Sequence, residues 1–132
     1  MVSLPVTNLA RSIEFYQAIG LSKNAQFSDQ AVACMVLSDE FSVILITHEK
    51  WSEFTPRLIP DAKKTAQFGL IVSKPNRDAV NIMIESGQKA GGKADPNPVE
   101  DHGFMFGRSI EDPDGHIWEA KWFDMAAMPA SN

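Results

Sequence analysis

The most constraining feature of this chain is the tetrapeptide Asp112-Pro113-Asp114-Gly115, set between two runs of strand-forming residues, 103–111 and 116–123. Pro113 presets the backbone angle of the first corner, Asp112 can accept from turn amides, and Gly115 can take positive φ. A type I turn followed by a left-handed glycine closes a three-residue hairpin with a bulge. That choice fixes the register. Asp112 faces His116, Ser109 faces Glu119, Gly107 faces Lys121 and Met105 faces Phe123. Strand side chains alternate between faces, so Phe104, Phe106, Ile110, Trp118, Ala120 and Trp122 share a face that should pack against helices. Arg108 falls on that face too, an anomaly unless its head reaches solvent. Glu119 sits among large apolar residues in sequence, yet alternation sends it to the opposite, open face. A carboxylate there can ligate a metal, act as acid or base, or anchor a polar ligand; an ion pair with Lys121 is the structural alternative.

The rest of the chain repeats one order of elements. Residues 1–6 read as extended, Asn8 as a helix N-cap, and Leu9, Ile13, Tyr16 and Ile19 as a helical stripe stopped by Gly20. Three strand-like runs follow at 22–27, 30–37 and 41–48, the last two joined by Ser38-Asp39-Glu40. Residues 49–67 form a connector in which Pro56 and Pro60 break any long helix, leaving room for one turn at 50–54. A strand at 68–73 leads to a helix opened by Pro75, with Ala79, Val80, Met83 and Ile84 on its apolar face and Gly91-Gly92 at its end. Gly87 weakens its last turn. A short strand at 93–95 precedes the closing hairpin. Val6-x4-Arg11 and Val72-x4-Arg77 mark the same strand-to-helix junction in each half. The expected fold is therefore α+β, with two βαβββ modules at 1–48 and 68–124 and a tail at 125–132. Each helix covers one face of its sheet, and the two remaining faces together should cup a concave cavity.

Composition narrows the partners. At 132 residues the chain suits one domain. Seventeen acidic against twelve basic residues give a net charge of −5. The basic residues are scattered apart from Lys63-Lys64, so no stripe can follow a phosphate backbone, and nucleic acid is excluded. No apolar run approaches the ~20 residues of a membrane span, and the start, Met-Val-Ser-Leu-Pro, lacks the pattern of a signal peptide. Cys34 is the sole cysteine and reads as a small buried hydrophobe; a reducing, cytoplasmic setting is the expectation.

Two stretches carry a family resemblance. Leu4-Pro-Val-Thr-Asn-Leu-Ala-Arg-Ser-Ile-Glu-Phe-Tyr-Gln-Ala-Ile-Gly20 resembles the opening strand and helix of vicinal-oxygen-chelate proteins, the glyoxalase, bleomycin-resistance and extradiol-dioxygenase relatives. Glu111-Asp-Pro-Asp-Gly-His-Ile-Trp-Glu119 resembles their closing hairpin. The resemblance implies their fold, a homodimer, and a divalent metal (Zn, Ni, Mn or Fe) that binds two neighbouring substrate oxygens as a Lewis acid. Of the four ligand positions it implies, Glu119 matches one, while Met1, Leu45 and Phe68 fall on the others. A thioether and two hydrocarbons cannot hold a hard or borderline divalent ion, so no cofactor is expected, with a divalent metal as the alternative. His102 resembles the histidine of the extradiol signature, although Ser109 stands where that signature has Tyr. His102 and Glu119 are thus the catalytic candidates. His48 and His116 read as bland, one pointing away from the cavity and one beside an exposed turn.

The first functional expectation is a binder of a small aromatic or amphipathic molecule. Its pocket would be lined by Leu45, Thr47, Phe68, Leu70 and Phe123, with Ser109, Lys121 and Glu119 as polar anchors; drug sequestration, as in bleomycin resistance, belongs to this class. The second is a metal-dependent lyase or isomerase resembling lactoylglutathione lyase, or an extradiol-type dioxygenase. The third is a non-catalytic binding module.

Overall fold

Side-chain caps and glycines set the element boundaries of this protein, whose computed structural model describes residues 1–129. The last three positions of the 125–132 tail lie outside the described residues. The first half runs β1 (Val2–Val6), α1 (Leu9–Ala18), β2 (Ser22–Asn24), β3 (Val32–Ser38) and β4 (Phe41–Thr47). Asn8 caps α1 as its sequence predicts, its side chain accepting from the Arg11 amide at 3.0 Å. The strand expected over 22–27 ends early because the Asn24 side chain accepts from the Gln26 amide and turns the chain into a 3-10 turn at Ala25–Phe27. The connector opens with one helical turn, α2 (His48–Trp51), capped by Thr47.

The second half runs β5 (Leu70–Ser73), α3 (Arg77–Lys89), β6 (Lys93–Ala94), β7 (Glu100–Asp101), β8 (Met105–Glu111) and β9 (Ile117–Phe123). Asn76 caps α3, so Pro75 precedes the cap instead of occupying the first turn. The two-residue β7 carried no readable sequence signal. Hydrogen-bonding order is the same in both sheets: β1-β4-β3-β2 and β5-β9-β8-β6, with β7 also paired to β8. In each, the first strand lies parallel to the last. The hairpin register follows from the turn: Ser109 pairs with Glu119, Gly107 with Lys121 and Met105 with Phe123.

Helices α1 and α3 pack together beneath both sheets. Phe15, Tyr16, Ile19, Val80, Met83 and Ile84 from the helices join Leu4, Val6, Val43 and Leu45 from one sheet and Ile110, Trp118 and Ala120 from the other in a single cluster. A Val, Leu, Ile, Met or Phe side chain among them contributes ~1.5–3 kcal/mol when fully buried. Gly87 does not end α3. A β-carbon there would fall 2.9 Å from Ile110 Cγ1 and 3.0 Å from Ile19 Cγ2, so glycine lets α3 approach α1 and β8.

One polar knot ties the halves together. Tyr16 Oη donates to Asp112 Oδ2 at 2.6 Å, and Trp118 Nε1 donates to Tyr16 Oη at 3.1 Å, all three residues being buried. Burial pushes the Tyr16 phenol well above its ordinary range, with the neighbouring Asp112 adding to the effect. Burial likewise raises the Asp112 carboxyl. The Arg108 anomaly resolves locally: its guanidinium meets both Asp95 carboxylate oxygens, at 3.0 and 2.7 Å, and the Asn81 side chain at 2.9 Å.

Candidate functional site

The closing hairpin places Glu119 on the open face of the second sheet, as alternation requires. Its Oε1 accepts from Asn97 Nδ2 at 3.2 Å, and its Oε2 lies 3.4 Å from Lys121 Nζ. The Glu119 side chain is 24% exposed, and so is neither in bulk water nor under a helix. Ser109, paired with Glu119 and buried, accepts from the Asn97 amide through Oγ at 3.0 Å and so holds the Asn97 loop in place. Ile71 pairs with Glu119 across the parallel ladder and is 62% exposed on the same face. Phe123 shares this face farther along β9, 38% exposed.

A crease runs between the open sides of the two sheets, with the connector as its outer wall. Its central chamber, about 400 Å³, is lined by Ser3 and Pro5 of β1, Trp51 and Pro60 of the connector, Phe68 just before β5, and Ile117 of β9. Among the described residues no Asp, Glu, Lys or Arg lines it. Phe68 and Ile117 also line the Glu119 end, an adjoining space of about 340 Å³. On another side the central chamber meets a polar chamber of about 380 Å³ that holds Arg11, His48, Asp61, Lys63, Asp114 and His116. Pro5, Pro60, Ala62 and His116 line both chambers. The connector is seated by Gly115, whose φ is +102° and whose missing β-carbon would fall 2.6 Å from the Lys63 amide nitrogen. The turn therefore needs glycine twice, for its backbone angle and for this close approach.

Several expected lining residues lie elsewhere. Leu45 is fully buried on the helix-covered side of its sheet, paired with Leu4 in the core. The open face of β4 carries its neighbours, with Ile46 lining a pocket against Trp51 and Phe54. Both faces of β4 are apolar, so alternation fixed the period and gave no sign of which face was which. Thr47 shares Leu45's side and spends its hydroxyl capping α2, accepting from the Lys50 amide at 3.3 Å. Leu70 pairs with Trp118 and packs against the core. It and Phe68 do not share a face of β5, because the strand begins at Leu70 and Phe68 lies before it. His102 is exposed in the turn between β7 and β8, its ring stacked on Phe104 at 6.1 Å, away from Glu119. The structure thus brings together Glu119, Ser109, Lys121 and, through the crease, Phe68. It adds Asn97, Ile71, Trp51 and Ile117, and it moves His48 and His116 from the periphery to cavity walls. Nothing in their sequence spacing signalled those two, because the connector that completes their chamber has no periodicity to read.

The donor set does not fit a family-type divalent centre. Glu119 already faces the Lys121 ammonium and the Asn97 amide, which compete with a cation; of its other neighbours Phe68, Ile71 and Ile117 offer no ligand side chain, and Gln67 offers one neutral amide oxygen, too little for a divalent centre. Among the described residues no three His, Cys, Asp or Glu side chains converge in a way that could hold a metal ion. The described helices include none long and apolar enough to cross a membrane.

Solved structures with the same fold come from several bacteria. A hypothetical protein from S. aureus matches with a TM-score of 0.77 at 22% identity, covering 92% of each chain. A virulence protein from Salmonella typhimurium matches at 0.60 and 25% identity, over 92% of this chain and 93% of that one. A fosfomycin resistance protein from Mesorhizobium loti matches at 0.67 and 12% identity, over 95% and 91%. No curated protein matches the sequence. The family model described as Glyoxalase/Bleomycin resistance protein/Dioxygenase superfamily matches residues 1–120. With its paired βαβββ modules, its Asp-Pro-Asp-Gly hairpin and that match over most of its length, the chain belongs to the glyoxalase/bleomycin resistance protein/dioxygenase superfamily.

Proposed function

We propose that this protein binds a small, largely apolar organic molecule in the crease between its modules, without a divalent metal centre. The observation that carries this reading is the central chamber itself, lined among the described residues without a single Asp, Glu, Lys or Arg and sharing Phe68 and Ile117 with the Glu119 end. A flat or aliphatic body fits between Trp51, Phe68 and Ile117. Glu119, with Asn97 and Lys121 as its partners, supplies a polar anchor at one end, and burial of apolar surface at ~25 cal/mol per Å² supplies most of the affinity. A homodimer belongs to the same reading, since Ile71 and Phe123 flank Glu119 as exposed apolar side chains that a second copy would cover.

Calorimetric titration with 2-naphthamide, a neutral apolar probe, tests the reading. Saturable one-to-one binding is expected, unchanged by EDTA and abolished by Phe68→Asp. Stoichiometric Zn, Ni, Mn or Fe in protein purified without chelator, lost on Glu119→Gln, would instead favour a metal-dependent lyase, isomerase or dioxygenase. Light scattering behind a sizing column measures the mass, and a monomer at every concentration sinks the dimer.

A further inference from the structure

We propose that the polar chamber beside the crease receives the anionic head of the ligand, which makes the ligand class an amphipathic organic anion with a ring or short chain as its body. This deepens the reading above and rests on it. The two chambers meet at Pro5, Pro60, Ala62 and His116, so one molecule can occupy both, its apolar part against Trp51 and Phe68 and its head beside His116.

The charges in the polar chamber are not equally available. Asp114 accepts through Oδ1 from the Thr7 amide at 3.0 Å and the Thr7 hydroxyl at 2.7 Å, and its Oδ2 lies 3.4 Å from the Ser12 hydroxyl. Asp61 accepts from the Lys63 amide at 3.0 Å. Asp114 thus directs both of its oxygens at the protein, and Asp61 one of its two. The two cations differ. Arg11 spends one N–H on the Thr7 hydroxyl at 2.9 Å, and among the described residues neither Arg11 nor Lys63 has a carboxylate within 4 Å. Asp114 holds Thr7, and Thr7 holds Arg11, so the guanidinium is positioned with its remaining donors unspent. Lys63 is placed by the close passage of the connector over Gly115.

His116 is oriented by the main chain. Its Nε2 lies 2.8 Å from the Pro5 carbonyl oxygen, which can only accept, so Nε2–H is spent there and the anion's donors are those of Arg11 and Lys63. His48 lines the same chamber. The other module shows what a purely structural arginine looks like: Arg77 meets both oxygens of Asp101, at 2.9 and 2.8 Å, and lies over Phe106 and Trp122. Arg11 has no such partners.

Calorimetric titrations with 2-naphthoate, 2-naphthyl phosphate and 2-naphthamide separate the ideas. At least one of the two anions is expected to bind about tenfold or more tightly than the amide, and the tighter one names the head group. In the double variant Arg11→Gln, Lys63→Gln that preference is expected to shrink to about twofold or less with affinity for the amide unchanged; both side chains are exposed, so folding is preserved. Equal affinities in the wild type, or a preference that survives the double variant, overturn the anionic head while the apolar crease stands. If none of the three probes binds saturably, the crease reading falls and takes this one with it.

Discussion

The two sheets share one strand order and differ in what their open faces carry. In the first, Ile44 and Ile46 occupy the open side of β4 while Val43 and Leu45 fill the core beneath, so both faces are apolar. In the second, Ser109, Glu119 and Lys121 occupy the open side while Ile110, Trp118 and Ala120 lie beneath. The difference follows from what covers each face. The connector lays Trp51 and Phe54 against Ile46, and a strand covered on both sides reads as an unbroken apolar run. Only the end of the connector, at Ala66 and Gln67, reaches the space beside Glu119, which stays 24% exposed, so the second sheet keeps polar side chains on a half-solvated surface.

The largest effect that could break this comparison is expected at β4. Leu45→Ala should cost roughly 2–5 kcal/mol, as truncation of a fully buried leucine does, whereas Ile44→Ala, on the partly exposed side, should cost clearly less. Denaturant melts of the two variants decide it. The reverse order would mean that the faces of β4 are swapped and that Leu45 lines the cavity after all.

The same contrast explains what the sequence made legible. Asn8 and Asn76 mark helix starts because a short polar side chain there satisfies first-turn amides, and Asp112 to Gly115 fixes a register that the strands then follow residue by residue. Glu119 was readable because only a pleat can separate a carboxylate from the tryptophans beside it. Leu45 and Leu70 were not, since a period of two in an all-apolar strand names no side. His48 and His116 were not either, because their chamber is closed by residues 59–63 of the connector, which folds by contact with Gly115 and not by any repeat.

The knot that joins the halves offers the next test. Tyr16→Phe removes the donor to Asp112 and the acceptor for Trp118 Nε1, leaving two buried polar groups short of a partner. A loss of roughly 1–3 kcal/mol is expected, read from the midpoint of a urea melt. No measurable loss would mean that water replaces the hydroxyl and that the halves are held by apolar contact alone.

Acid and base should act oppositely on the two aspartates that anchor the second module. Burial raises the Asp112 carboxyl, so the folded protein binds its proton more tightly than the unfolded chain does, and this contribution to stability fades as pH rises from the ordinary carboxylate range. Asp101 is held well below that range by its hydrogen bonds to Arg77, so its contribution is present above the ordinary carboxylate value and is lost as pH falls. Asp112→Asn keeps an oxygen for the amides of Asp114 and His116 and removes the titration. Its stability deficit relative to wild type should therefore narrow between about pH 4 and pH 7, as followed by melts across that interval. A deficit that widens would show that the ionised carboxylate is the favoured form in the fold.

The smallest expected effect separates the two arginines of the repeated junction. Val6-x4-Arg11 and Val72-x4-Arg77 align in sequence, yet Ser73-Lys74-Pro75 precedes the second cap where Thr7 alone precedes the first, so Arg11 is the third residue of its helix and Arg77 the first. From there Arg77 reaches Asp101 with two parallel N–H bonds, donates to the Gly103 carbonyl at 3.1 Å, and covers two aromatic rings. Arg77→Gln should lower the melting temperature by a small, reproducible amount that added salt reduces. Arg11→Gln, with a single hydrogen bond to Thr7, should leave it unchanged. Equal losses at the two positions would mark Arg11 as a second structural clamp and remove it from the cavity wall as a ligand-facing cation; unequal losses leave its charge without a structural use, free to meet a ligand.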